Sequence, residues 1–211
     1  MDILDFHTHR TDADRAIISV DPHEFSPEPG RWYSVGFHPW NDLEALSEDD
    51  FALLEQCASH PQVLAIGETG LDSLRGAPLD LQEAAFARHL RLAASVGKPV
   101  VVHSVRTAQR ILAVKRATGC QVPLAIHGMR GNEHVARLLL DAGCFLSFGI
   151  RFNPSALRIT PLDRLFIETD DHPAAISEVA AAVASEKGLS CKELTELATA
   201  NIRRFTAAGT Y

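Results

Sequence analysis

The chain has 211 residues, 46% of them apolar and 22% charged, and a net charge of −7 at neutral pH. That length suits one large domain with a real core, and the composition is ordinary for a soluble globular protein. The acidic balance argues against a basic groove that holds long nucleic acid by counterion release, although bound divalent cations would reverse the sign locally.

No apolar run approaches the ~20 residues that span a bilayer. Asp2 and Asp5 interrupt the only early apolar segment, so no secretory signal is expected, and a cytoplasmic protein without a membrane partner is. Cys57, Cys120, Cys144 and Cys191 are widely scattered with no CxxC pair, and are expected as reduced, mostly buried thiols.

Read in chain order, short apolar runs recur and predict eight strands: Ile3–Phe6, Ala16–Val20, Trp32–Gly36, Val63–Gly67, Val100–His103, Pro123–Ile126, Cys144–Phe148 and Leu165–Glu168. Most are continuously apolar rather than alternating, as in strands buried on both faces of a parallel sheet. Helical spacing begins after the third strand. Ser47 to Ser59 has an N-cap serine followed by Glu48, Asp49 and Asp50. Leu79 to Val96 ends at Gly97, Ala108 to Thr118 at Gly119, and Asn132 to Asp141 shortly before Gly143. Ala174 to Lys187 and Ser190 to Thr206 complete the set, the last with a capping-box pair in Ser190 and Glu193.

This alternation, with no linker-like segment, predicts a single α/β domain over residues 1–211, a compact TIM-type (β/α)8 barrel. Only nine residues separate the first two predicted strands, too few for a crossover helix. The stretch DPHEFSPEPGR joins the second and third, and a short segment with Pro154 and Pro161 joins the seventh and eighth. Some outer helices should therefore be shortened, missing or reduced to turns.

The polar residues fall at the C-terminal ends of the strands. DFHTHR carries His7 and His9; VGFHP carries His38; VLAIGETGLD carries Glu68; PVVVHS carries His103; PLAIHG carries His127; LFIETD carries Asp170. Residues i and i+2 on a strand share a side, so His7 and His9 present two imidazoles together. In a parallel barrel all these ends meet on the face that holds active sites. Each has a structural reading when taken singly: a satisfied core histidine, or a helix-capping carboxylate. With His38 set aside, five strands that each end in a ligand type after an apolar run (His7 and His9, Glu68, His103, His127, Asp170) point instead to a site for one or two first-row divalent ions. Glu68, between the histidine groups in strand order, is the natural bridge. Such a centre lowers the pKa of bound water and binds attacking and leaving oxygens, so the chemistry indicated is hydrolysis.

The order DFHTH, VGFHP, IGETGLD, KPVVVHS, AIHG, FIETD resembles the TatD family of metal-dependent hydrolases, within the amidohydrolase superfamily. The resemblance extends to PLDLQEAAFARHLRLAASVGKPVVV, TPLDRLFIETD and ATANIRRF, and so covers nearly the whole chain. It implies a binuclear divalent site and phosphodiester hydrolysis, typically of DNA. It also implies that His7, His9 and Asp170 bind one metal, that His103 and His127 bind the other, and that Glu68 bridges. Asp170 would also orient or deprotonate the attacking water, making Asp170 and Glu68 the catalytic pair. His38 resembles a residue that contacts the substrate phosphate, with a turn cap as its other reading. Arg106, near His103, is either a fork onto phosphate or a solvated arginine. Asp72 is read as orienting a ligand, and Arg75 and Arg130 as solvated or ion-paired.

The chain departs from the family around the barrel mouth. The helix after the first strand is all but absent, and Asp171-His172-Pro173 runs straight toward the next helix. The leading expectation is a nuclease or phosphodiesterase acting on short or single-stranded DNA ends or on a small phosphodiester, with no obligate protein partner. Two other readings are a metal-dependent hydrolase of a lactone or cyclic amide and a non-enzymatic metal-binding scaffold. Four histidines tolerate zinc, manganese, iron, cobalt or nickel, and magnesium fits them less naturally.

Overall fold

In the computed structural model, which describes residues 2–207, eight parallel strands close into a barrel in chain order. They are β1 (Asp5–Thr8), β2 (Ala16–Val20), β3 (Trp32–Val35), β4 (Val63–Asp72), β5 (Val100–Val105), β6 (Leu124–Ile126), β7 (Phe145–Phe148) and β8 (Leu165–Ile167). The expected TIM-type barrel is the fold observed. Seven helices accompany it: α1 (Glu48–Ala58), α2 (Leu79–Val96), α3 (Ala108–Thr118), α4 (Glu133–Asp141), α5 (Pro154–Ile159), α6 (Ile176–Lys187) and α7 (Cys191–Ala207). None is long and apolar enough to cross a membrane.

The helix ends follow from local chemistry. Ser47 Oγ accepts from Asp50 N–H, and Ser47 N–H donates back to the Asp50 carboxylate at 2.7 Å, a capping box that starts α1. Gly97 and Gly119 close α2 and α3 in the left-handed conformation.

As expected, outer helices are missing from the short early connections, although α1 and α2 still cover β2 and β3 through Leu54, Cys57 and Ala85. No helix joins β1 to β2, and a single 3-10 turn, Pro22–Glu24, lies between β2 and β3. The segment between β7 and β8 differs from a bare turn: Asn153 accepts from Ser155 N–H and starts the six-residue α5, with Pro154 at its first position.

Strand alternation sorts the apolar residues into two layers. Val100, Val102, Leu124, Ile126, Leu146, Leu165 and Ile167 face outward and pack against α2 to α7. Phe6, Ile17, Ala65, Val101, Ala125, Phe145 and Phe166 join Ile202 and Phe205 of α7 in a separate cluster that fills the barrel floor. Three of the four cysteines (Cys57, Cys120 and Cys144) are buried free thiols, and Cys191 is exposed.

β4 departs from simple alternation, as β1 does between Asp5 and Thr8, where Phe6 joins the floor and His7 the mouth. β4 runs on to Asp72, five residues past the predicted end, and its register against β5 shifts between Ile66 and Thr69. Before the shift Ala65 faces in and Ile66 out; after it, Leu71 faces out while Glu68 and Asp72 face in. A slip of one residue exchanges the faces of a strand. Here it aims Glu68 at the barrel axis. Gly67, at φ 127°, permits this, because a Cβ there would collide with the Val101 carbonyl.

Candidate metal centre

Glu68 is the hub of the barrel mouth, and only 3% of it is exposed. Its Oε2 lies 3.2 Å from His7 Nε2 and 3.1 Å from His9 Nε2. Its Oε1 lies 2.7 Å from His103 Nδ1, 2.6 Å from His127 Nε2 and 3.0 Å from His38 Nε2. One carboxylate therefore divides five imidazoles into two sets, one per oxygen. Asp170 Oδ1 stands 3.7 Å from His7 Nε2 and 3.6 Å from His9 Nε2, on the side of the first set.

Asp170 is held there by backbone. Its residue is left-handed at φ 56°, a conformation aspartate tolerates better than most residues. Asp170 N–H donates to the His7 carbonyl at 2.9 Å, and the Asp170 carbonyl accepts from Thr8 Oγ1 at 3.2 Å. Buried Asp5 reinforces this junction, accepting from Thr169 N–H at 2.9 Å with Thr169 Oγ1 at 2.6 Å. Burial pushes the Asp5 carboxyl up to about 7 against those hydrogen bonds.

Outer partners fix which nitrogen each histidine offers. His103 Nε2 meets the Asp72 carboxylate at 3.0 Å, leaving Nδ1 for the centre. His127 does the reverse: Nδ1 faces Glu168 Oε1 at 3.4 Å, an ion-pair distance without hydrogen-bond geometry, and Nε2 faces inward. Asp72, read from the sequence as orienting a ligand, stands against His103 through this 3.0 Å contact. Burial raises the Asp72 carboxyl, but hydrogen bonds from His103, Leu74 and Trp40 prevail and hold it below the usual range. His38 Nδ1 accepts Trp40 N–H at 3.1 Å. Its Nε2 then carries the proton when the ring is neutral, and burial lowers its pKa further toward that state. A neutral Nε2–H is a donor suited to a phosphate oxygen and offers no lone pair to a cation.

The electrostatics match a cation site. Burial opposes ionisation of Glu68, yet His127 and His7 hold it well below the carboxylate range. Burial likewise lowers His127, and the Glu68 and Glu168 carboxylates outweigh it and raise it well above the usual value. The hydrogen bond to Glu68 raises His9. His7 Nδ1 and Nε2, His127 Nδ1 and Glu168 Oε2 are buried without hydrogen bonds among the described residues. Such orphaned atoms are costly unless something else coordinates them. Three groupings have ligand atoms close enough to share an ion: His7, His9 and Glu68; His7, His127 and Asp170; His38, Glu68 and His103. A set of imidazoles and carboxylates fits a first-row divalent cation.

Arg106 is not drawn into this cluster. It follows β5 in left-handed backbone, exposed on the rim, with no ion pair among the described residues. Four residues near the centre carried no sequence signal that was read. Glu168 and Asp5 sat inside quoted motifs beside more obvious ligands. Fully buried His89 of α2 accepts Phe37 N–H at 3.0 Å through Nε2 and donates from Nδ1 to Ala85, pinning the turn that carries His38. Trp40 donates its indole N–H to Asp72 at 2.8 Å. The GFHPW run was available as a signal for Trp40, whereas His89 lay hidden in a helical pattern.

Comparison with known proteins agrees with this geometry. The chain is 26% identical to an uncharacterized metal-dependent hydrolase, YabD of Bacillus subtilis, over 90% of its own length and 81% of the relative's. It is 37% identical to the 3'-5' ssDNA/RNA exonuclease TatD of Cronobacter turicensis, over 67% of this chain and 57% of that one. The crystal structure of YjjV, a TatD homolog from Escherichia coli, superposes with a TM-score of 0.79 at 21% identity, over 90% of this chain and 85% of the other. The family model described as TatD related DNase matches residues 24–207. His7 and His9 precede that stretch, so their place in the centre rests on the distances above. With the match running through β8 and α7, the chain belongs to the TatD family of metal-dependent hydrolases.

Proposed function

We propose that the chain is a single-domain phosphodiesterase that shortens single-stranded nucleic acid from an end, using two divalent ions. The observation that carries this reading is the divided coordination of Glu68, with His7 and His9 on one oxygen and His103 and His127 on the other. His7, His9 and Asp170 would hold one ion, His103 and His127 the second, with Glu68 between. Bound divalent ions supply Lewis acidity toward a phosphoryl oxygen and a water acidic enough to attack near neutral pH.

The protein's own groups do the rest. Asp170, 20% exposed at its side chain, stands at the open edge of the first set and accepts the proton of the attacking water. His38 donates its Nε2–H to a non-bridging phosphate oxygen. Asp72 keeps His103 in the required tautomer by a hydrogen bond, and the nearby Glu168 carboxylate favours the proton on His127 Nδ1 electrostatically.

Two further features favour nucleic acid. The exonuclease named above is a relative at 37% identity. Exposed Arg10, Arg75, Arg106, Arg130 and Arg151 follow β1, β4, β5, β6 and β7, so the strand order gathers cations at the mouth of an acidic protein. Among the described residues, Arg10 pairs loosely with Asp12 at 3.8 Å and the other four have no carboxylate partner. That is cation for a short stretch of backbone, in keeping with end-wise action.

The test is hydrolysis of an end-labelled single-stranded oligonucleotide by metal-reconstituted protein beside Glu68→Ala. Stepwise shortening is expected, falling by roughly a thousand-fold or more in the variant, since loss of the bridge removes the ions that activate water. An intact oligonucleotide beside metal-loaded protein would overturn the reading. It would turn attention to small phosphodiesters and then to lactones or cyclic amides.

A further inference from the structure

Only three large apolar side chains stand exposed among the described residues: Trp40, Leu74 and Leu162. Two of the three belong to neighbouring loops at the barrel mouth. Trp40 follows His38-Pro39 after β3, and Leu74 follows Asp72 at the end of β4. Scattered exposed apolar residues need no explanation, but a pair beside a reactive centre does.

The two loops form a fixed surface. The Asp72 carboxylate accepts Trp40 Nε1–H at 2.8 Å and His103 Nε2–H at 3.0 Å on one oxygen. Its other oxygen accepts Leu74 N–H at 2.8 Å and Arg75 N–H at 3.1 Å. Buried Gln82 of α2 holds the β4–α2 loop from below, accepting Asp72 N–H and donating to the carbonyls of Asp72, Arg75 and Ala77. Gly76, at φ 84°, lets the loops touch: a Cβ there would collide with the Pro39 carbonyl. The indole is thus anchored by its polar edge while 48% of the residue stays open to solvent. Its ring centroid is 4.7 Å from His38 and 5.5 Å from His103, and the Arg75 guanidinium lies over it at 4.9 Å.

We propose that Trp40, with Leu74 and Arg75 beside it, is a stacking platform for a nucleobase of the strand whose phosphate lies at the metal centre. The inference rests on the phosphodiester reading for its anchor and specifies what flanks the phosphate. The ring packs on His38, whose Nε2 lies 3.0 Å from Glu68 Oε1, so a phosphate bound at that carboxylate's ions would bring the group one sugar away to the indole. In a nucleic acid that group is a flat base with a π-face. Stacking on a single aromatic is sequence-tolerant and requires an unpaired base, which selects single strands over duplex. The arginine adds a cationic plane that packs on aromatic faces and attracts backbone phosphate. Because Asp72 joins the platform to His103, the base-binding surface and the reacting centre are set by one carboxylate.

The experiment compares binding of dAMP and deoxyribose 5-phosphate to metal-loaded protein by calorimetry, in wild type, Trp40→Phe and Trp40→Ala. Indole fluorescence of the wild type is followed alongside, with Trp40→Phe giving the background from Trp32. Phenylalanine keeps a stacking face but cannot donate to Asp72; alanine loses both. The expected result is dAMP binding roughly ten-fold or more tighter than the base-free sugar phosphate, with quenching by dAMP alone. That ratio should persist within a few-fold in Trp40→Phe and fall to about one in Trp40→Ala. Equal weakening of both ligands in both variants, with the ratio unchanged, would overturn the platform and reduce Trp40 to a support of Asp72. A wild-type ratio near one, or a ratio that survives in Trp40→Ala, overturns the platform even when oligonucleotides are cleaved. Base-dependent binding lost in Trp40→Ala without any oligonucleotide cleavage would uphold the platform and refute an oligonucleotide as the substrate.

Discussion

The two ends of the barrel interior are built from the same strands by opposite rules. At the floor, Phe6 stacks on Phe166 with centroids 4.2 Å apart, Phe145 stacks on Phe166 at 5.2 Å, and Phe205 meets all three edge-on between 5.1 and 5.5 Å. At the mouth, one residue or a few further along the same strands, stand His7, Glu68, His103, His127 and Glu168, all buried, with atoms of His7, His127 and Glu168 left without hydrogen bonds. The floor places apolar area where it is removed from water, in geometries aromatic rings favour. The mouth keeps charge and lone pairs away from water, an arrangement unfavourable to folding unless a cation completes it. Stability and chemistry are thereby separated along each strand, and changes at one end should leave the other largely intact.

The largest stability effect is expected at the floor. Phe166→Ala removes the central ring of the stack and should lower unfolding free energy by about 3–5 kcal/mol. Urea titration measures this. Metal content of the folded variant should stay at the wild-type level, and its loss would show that floor and mouth are coupled.

A smaller, pH-dependent effect is expected where the two ends meet. Asp5 has a folded pKa of about 7 against a model-peptide value near 4, so folding favours its neutral form. The sign follows by linkage: no penalty below about pH 4, then a growing one as the unfolded chain ionises first, complete once pH passes the folded value. Asparagine mimics the neutral acid, donating to Thr169 Oγ1 and accepting from Thr169 N–H. Asp5→Asn should match wild type near pH 4 and exceed it at pH 8 by at most about 4 kcal/mol, in metal-free protein. A constant difference across that range would show that Asp5 is ionised throughout.

On β5, β6 and β8 the floor and the mouth are legible for the same reason: both follow strict alternation after an apolar run. Val101 and His103, Ala125 and His127, and Phe166 and Glu168 share faces as period two requires. The helices were legible from their caps, with α2 and α3 falling on their predicted limits. β4 was misjudged in length because its register shift leaves no compositional trace, and the faces of Glu68 and Asp72 depend on that shift. Between β7 and β8 the short segment with Pro154 forms a shortened helix, α5, because proline suits the first helical position. His89 and Trp40 were passed over for a different reason. Each acts through a hydrogen bond to a residue far away in sequence, 52 positions for His89 with Phe37 and 32 for Trp40 with Asp72.

The proposed two-ion centre requires Glu68 to separate two cation positions. The most direct measurement is the divalent metal content per chain, by elemental analysis after reconstitution and desalting, in wild type and Glu68→Ala. Two ions per wild-type chain are predicted, and one or fewer in the variant, which should remain folded by circular dichroism. A single ion in the wild type, or two retained without Glu68, would contradict the account.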